Sequence, residues 1–128
     1  MKPLILRLAI ATVLAAGVIL PAQALDNQMK IDLQATLLSF LENASDDAGR
    51  FAVTDRSSGR LTRVYAGAMH PKIVPFGDDQ ILCIEMFDDA GGKHDADFVL
   101  RRGDHGWMVV DILFNQRPLL KKMLKRSD

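Results

Sequence analysis

The chain has 128 residues, 48% of them hydrophobic, with 16 Lys+Arg set against 16 Asp+Glu. Length and composition fit one small globular domain, and the balanced charge argues against a nucleic-acid binder, which needs a clear basic excess. A single cysteine, Cys83, excludes an internal disulfide, so packing alone must hold the domain.

The N-terminus reads as an export signal. Lys2 and Arg7 give a positive start, Leu8 to Leu20 is uncharged and apolar, and Ala22-Gln23-Ala24 is a small-x-small cleavage pattern. Cleavage is expected after Ala24, giving residues 1–24 as signal peptide and 25–128 as a single α+β domain. Without Lys2 and Arg7 the mature part carries 14 Lys+Arg against 16 Asp+Glu, a charge of −2. No later segment reaches the roughly 20 apolar residues of a transmembrane helix. The expected location is the periplasm, or outside the cell.

Met29, Leu33, Leu37, Phe40, Leu41 and Ala44 recur at spacings of three and four, predicting a helix over 29–44, with Ile31, Ala35 and Leu38 widening its apolar stripe. Asp26 or Asn27 is the expected N-cap. After Gly49 the period changes to two. Phe51 and Val53 alternate with Ala52 and Thr54, Arg56 to Gly59 turns, and Arg60 to Ala68 reads as a strand. His70-Pro71 and the segment from Pro75 to Asp79 predict a loop or an edge, because proline cannot donate to a ladder. Gln80–Phe87, Asp95–Arg101 and Trp107–Phe114 are strands separated by the turns at 88–92 and 103–106. Pro118 starts a short C-terminal helix ending near Arg126.

The expected fold is therefore α+β: an N-terminal helix packed on a four- to five-stranded antiparallel meander, with a short C-terminal helix. Alternation places Leu82, Ile84, Met86, Ala96, Phe98, Leu100, Met108, Val110, Ile112 and Phe114 toward the helix. This element order over residues 26–115 resembles the cystatin-like superfold, and the related nuclear-transport-factor-2-like plan, in which a sheet wraps one helix. The chain has no Gln-x-Val-x-Gly inhibitory loop and is short for the nuclear-transport-factor-2 type. The run Cys83–Asp88, the Gly91-Gly92 turn and Asp95–Phe98 also resemble a segment of small exported bacterial proteins of unknown role. Both likenesses imply a fold and no activity.

The opposite sheet face is expected to mix apolar side chains with charges, and Trp107, Val109, Phe87, Arg101 and Tyr65 are the candidate ligand or partner residues on it. Two arrangements follow. In one, the C-terminal segment or a second copy covers the face, with carboxylates paired to Arg63 and Arg101. In the other, Glu85, Asp97 and Asp111 converge from neighbouring strands as an acid–base or cation site, each raising the others' pKa values. His70, His94 and His105 read as solvated loop residues, without the convergent spacing of a metal site. Cys83 reads as a small buried apolar residue. No phosphate loop, dinucleotide fingerprint or nucleophile elbow occurs, so no cofactor is expected.

Arg117, Lys121, Lys122, Lys125 and Arg126 alternate with Leu119, Leu120, Met123 and Leu124 as a basic amphipathic helix. It either docks its leucines on the domain or touches an anionic membrane surface. These features point to a non-enzymatic exported binding or interaction module, homodimeric in one version, whose partner is a protein or a small ligand. The alternative is a small enzyme or ligand carrier with a carboxylate-lined pocket between helix and sheet, using Asp97 or Asp111 with Tyr65 and Trp107.

Overall fold

A computed structural model describes residues 22–126, so the expected signal run 8–20 lies outside the described residues. The elements are α1 (Ala22–Ala44), β1 (Phe51–Asp55), β2 (Arg60–Phe76), β3 (Asp79–Asp88), β4 (Lys93–Gly103), β5 (Gly106–Phe114) and α2 (Arg117–Arg126). The five strands form one antiparallel sheet in the order β1-β2-β3-β4-β5. This is the α+β meander expected from the alternating strands and short turns.

The core lies between α1 and one sheet face. Leu33, Leu37 and Leu41 project from α1 onto Val64, Leu82, Ile84, Met86, Phe98 and Leu100. Phe40, Phe51 and Phe98 meet with ring centroids 6.0–6.4 Å apart, two of the three pairs edge to face. Such contacts add to the hydrophobic gain from area burial. The stripe on α1 is narrower than expected: Ile31 and Leu38 are 57% and 56% exposed, and Ala35 is exposed as well. A single sheet contacts only one side of the helix, so it cannot bury all the apolar positions. The helix also starts at Ala22, upstream of the expected caps Asp26 and Asn27, because the helix-favouring Ala22-Gln23-Ala24-Leu25 precedes them.

β2 runs through both prolines. Beyond Val64, which pairs with Phe51 at the start of β1, the strand has no partner on that side among the described residues, and an edge tolerates a missing N–H. Two register shifts against β3, between Ala66 and Met69 and between Met69 and Ile73, accommodate the Pro71 region.

The parity expected for the first half of β5 is corrected. Val99 pairs with Asp111 but Leu100 pairs with Val109, so Val110 is an extra residue in a bulge. The bulge inverts the alternation on its N-terminal side. Met108 and Val110 are therefore exposed, at 47% and 41%, while Trp107 and Val109 pack against the α1 core. Ile112 and Phe114, beyond the bulge, keep their inward positions.

The opposite face of the sheet has its own cover. Ile81, Val99 and Leu113 form a second apolar cluster with Leu120 of α2, flanked by Val74, Phe76, Met123 and Leu124. Leu120, Met123 and Leu124 of the basic C-terminal helix are thus docked on the domain, while Leu119 is 43% exposed. No helix among the described residues is long and apolar enough to cross a membrane.

Candidate site between the outer sheet face and α2

The outer face places Cys83 and Glu85 of β3 beside Asp97 and Asp95 of β4, with Cys83 paired to Asp97 and Glu85 to Asp95 across the ladder. Asp97 also opposes Leu113 of β5. How α2 reaches these residues is set by Asn115. Its φ of 53° is left-handed, a conformation that asparagine tolerates better than most residues. Its backbone N–H donates to the Asp95 carbonyl at 2.8 Å, and its Oδ1 accepts from the Asp95 N–H at 3.1 Å. This double bond ends the β4–β5 ladder and turns the chain back over the face. The Leu120 N–H then donates to the Gln116 carbonyl at 3.0 Å as the helix starts.

Arg117, the first residue of α2, grips Asp97 with two nitrogens, Nε to Oδ2 at 3.2 Å and Nη2 to Oδ1 at 3.3 Å. Nη2 also donates to Cys83 Sγ at 3.0 Å and lies 3.7 Å from Asp95 Oδ1. Asp97 is 2% exposed, the most deeply buried carboxylate among the described residues, whereas the Arg117 side chain is 39% exposed. Burial pushes the Asp97 carboxyl above its ordinary value, and Arg117 offsets only part of that. Burial, with the Asp97 charge adding to it, pushes the Cys83 thiol up to about 11. A thiol held this far from ionisation is a poor nucleophile at neutral pH.

Between α2 and the sheet is a cavity of about 280 Å³. Its apolar walls come from Val74, Ile81, Leu120 and Leu124, and its base from Cys83, Asp97 and Arg117. His70, Lys72 and Lys121 also line it. A more open groove of about 360 Å³ separates β1 from β5, where Arg56 Nη2 meets Asp111 Oδ1 at 3.2 Å. That pair is exposed on both sides and ties the β1–β2 turn to β5.

The three candidate carboxylates keep separate partners. Asp97 is held by Arg117, Asp111 by Arg56, and Glu85 by Lys93 at 2.8 Å, with His70 Nε2 3.8 Å away. Lys93 holds the Glu85 carboxyl below its ordinary value, the opposite of what mutual carboxylate repulsion produces. Arg101 takes Asp79 in a bidentate bond at 2.9 Å for each oxygen, so neither Arg101 nor Arg63 pairs with the three candidates. Phe87 and Tyr65 are cross-strand partners on the outer face, and the Phe87 ring lies against Gly67. Trp107 and Val109 are on the α1 side, so they do not share a surface with Phe87, Tyr65 and Arg101. Arg102 stacks over the Trp107 ring at 4.8 Å.

His94 departs from the solvated-loop reading. Its Nε2 bonds Asp88 Oδ2 at 2.8 Å, its Nδ1 bonds Asn115 Nδ2 at 2.8 Å, and its ring stacks on Phe114. The Asn115 oxygen already accepts from Asp95, so the amide nitrogen donates to Nδ1 and the imidazole proton sits on Nε2. No group of three His, Cys, Asp or Glu side chains among the described residues is arranged to hold a metal ion.

Arg117 is the site residue that sequence reasoning assigned only to a basic tail. A signal for it was present: an arginine at a helix N-terminus opposes the macrodipole, so its position asks for a compensating carboxylate. Asp97 and Asp95 supply it. Comparisons with family models, curated proteins and solved structures find no match to this chain.

Proposed function

We propose that this protein is a small exported binding module, without enzymatic activity, whose ligand occupies the cleft between the mixed outer sheet face and α2. The observation that carries this reading is the Asp97–Arg117 pair at the base of an otherwise largely apolar cavity. An ion pair whose carboxylate is buried contributes little net stability compared with well-packed apolar residues, so its presence there favours a role beyond packing. A concave, mostly apolar cavity with a few polar groups at its base is the usual form of a small-ligand site, although 280 Å³ falls at the small end. The raised Cys83 thiol argues against a nucleophilic role, and the separately paired carboxylates argue against a general-acid/base pair. Export from the cytoplasm and a cystatin-like relationship belong to the same proposal; they rest on the N-terminal residues and on element order.

Cys83 lines the cleft and is the single cysteine, which makes it a local reporter. Iodoacetamide alkylation of the mature protein at alkaline pH, where enough Cys83 thiolate forms to react, followed by mass spectrometry across a fragment collection, tests the reading. Fragments that bind the cleft slow the reaction in proportion to occupancy. If every fragment found to bind the protein leaves the alkylation rate unchanged, the site lies elsewhere.

A further inference from the structure

The charges around the cleft are unequal. Arg117 and Asp97 neutralise one another, while Lys72 on β2 and Lys121 on α2 line the same cavity and have no ion-pair partner among the described residues. With neutral His70 the lining carries a formal charge of +2, in a chain whose net charge is 0. The two ammonium groups come from different elements, one on the sheet side and one on the helix side. Both residues are exposed, so their heads are available at the surface. Below them the walls are apolar, from Val74, Ile81, Leu120 and Leu124.

Resting on the binding reading above, we propose that the ligand is an amphipathic anion: a small molecule with one acidic head group on an apolar body. The head lies between Lys72 and Lys121, and the body replaces water along the Val74, Ile81, Leu120 and Leu124 walls. Lysine suits this task because it acts as a mobile point charge, while the guanidinium fork at the base is already committed to Asp97 and Cys83. The head contributes by charge attraction that salt screens, and the body by apolar area removed from water.

Isothermal titration of the mature protein with octanoate, acetate and octanol separates the two contributions. Octanoate should bind more tightly than either, and more weakly as salt is raised. Lys72→Ala and Lys121→Ala should each weaken octanoate about threefold and together about tenfold, the size of partly exposed charge contacts. Octanol binding should stay unchanged in both variants. Both lysines are exposed, so these variants keep the fold. The proposal is overturned if octanol binds as tightly as octanoate, or if the double variant binds octanoate as the parent does. It is equally overturned if anionic vesicles retain the protein through Lys72 and Lys121 while free octanoate fails to bind, because the partner is then a membrane surface. A neutral or cationic fragment that protects Cys83 where octanoate does not leaves the cleft reading standing and removes only the anion. Failure of every fragment to protect Cys83 removes both.

Discussion

Replacing Arg117 with Met strands the most deeply buried carboxylate of the domain. Asp97 is 2% exposed and would keep only the Cys83 thiol as a side-chain donor. Breaking a fully buried pair from one side costs about 3–5 kcal/mol. Here the arginine is 39% exposed and its own charge is already partly hydrated, so the loss at neutral pH should be smaller, about 2 kcal/mol. In a domain of this size that lowers Tm by about 10 °C. The pH dependence separates a stranded charge from lost packing. Burial already raises the Asp97 pKa, and loss of Arg117 raises it further. A raised carboxyl stabilises the fold when protonated and loses that contribution as pH rises through the folded pKa. The deficit of Arg117→Met should therefore be largest near neutral pH and shrink on acidification. Adding Asp97→Val should recover most of it, since a buried pair replaced on both sides by apolar groups is often close to neutral. Urea unfolding followed by far-ultraviolet circular dichroism at several pH values measures all three quantities. A deficit that is absent at neutral pH, independent of pH, or unchanged by Asp97→Val refutes the reasoning.

The remaining predictions concern the frame around the cleft. Leu37→Ala should cost about 2–5 kcal/mol in urea unfolding, and Leu38→Ala, one position along the same helix, less than about 0.5 kcal/mol, because Leu37 is 0% and Leu38 56% exposed. Gly67→Ala should destabilise by about 1–2 kcal/mol by the same assay, since an added Cβ would lie 2.5 Å from the Phe87 ring and 2.9 Å from the Glu85 carbonyl oxygen. The whole domain should lose stability as pH falls. Hydrogen bonds from Arg101, Lys93 and His94 hold Asp79, Glu85 and Asp88 below their ordinary values of 3.8 for aspartate and 4.5 for glutamate. Their stabilisation is complete above those values and is lost as pH falls through the lower folded pKa values, while Asp97 contributes in the opposite sense. Asp79→Asn should flatten the acid limb of a stability–pH curve, and an unchanged limb would count against the Asp79–Arg101 bond.

The fold was legible where one residue type decides one geometry. The turn residues at 56–59, 88–92 and 103–106, and the alternation in 80–87 and 95–101, mark the meander directly in the sequence. Three features were hidden. Trp107 to Phe114 is apolar on both faces except at Asp111, so a one-residue bulge at Val110 leaves no trace in the pattern and parity there is unreadable. The prolines of β2 read as an interruption, because the shortness of β1, which leaves that stretch as an edge, is a tertiary fact. The apolar positions of α1 exceed what one sheet can cover, and the sequence does not say which are left out. The candidate site was half legible: Asp97 and Cys83 follow from strand parity, but Arg117 comes to them only through the left-handed turn at Asn115 and the docking of α2.

The central claim is that the cleft between the outer sheet face and α2 is where this protein binds a small molecule. A ¹⁵N–¹H correlation spectrum of the protein titrated with a fragment mixture addresses it directly. Residues 70–74, 81–83, 97 and 117–124 should show the largest shift changes, with the α1 face silent. Changes confined to the β1–β5 groove or to α1, with that set unmoved, would contradict the account.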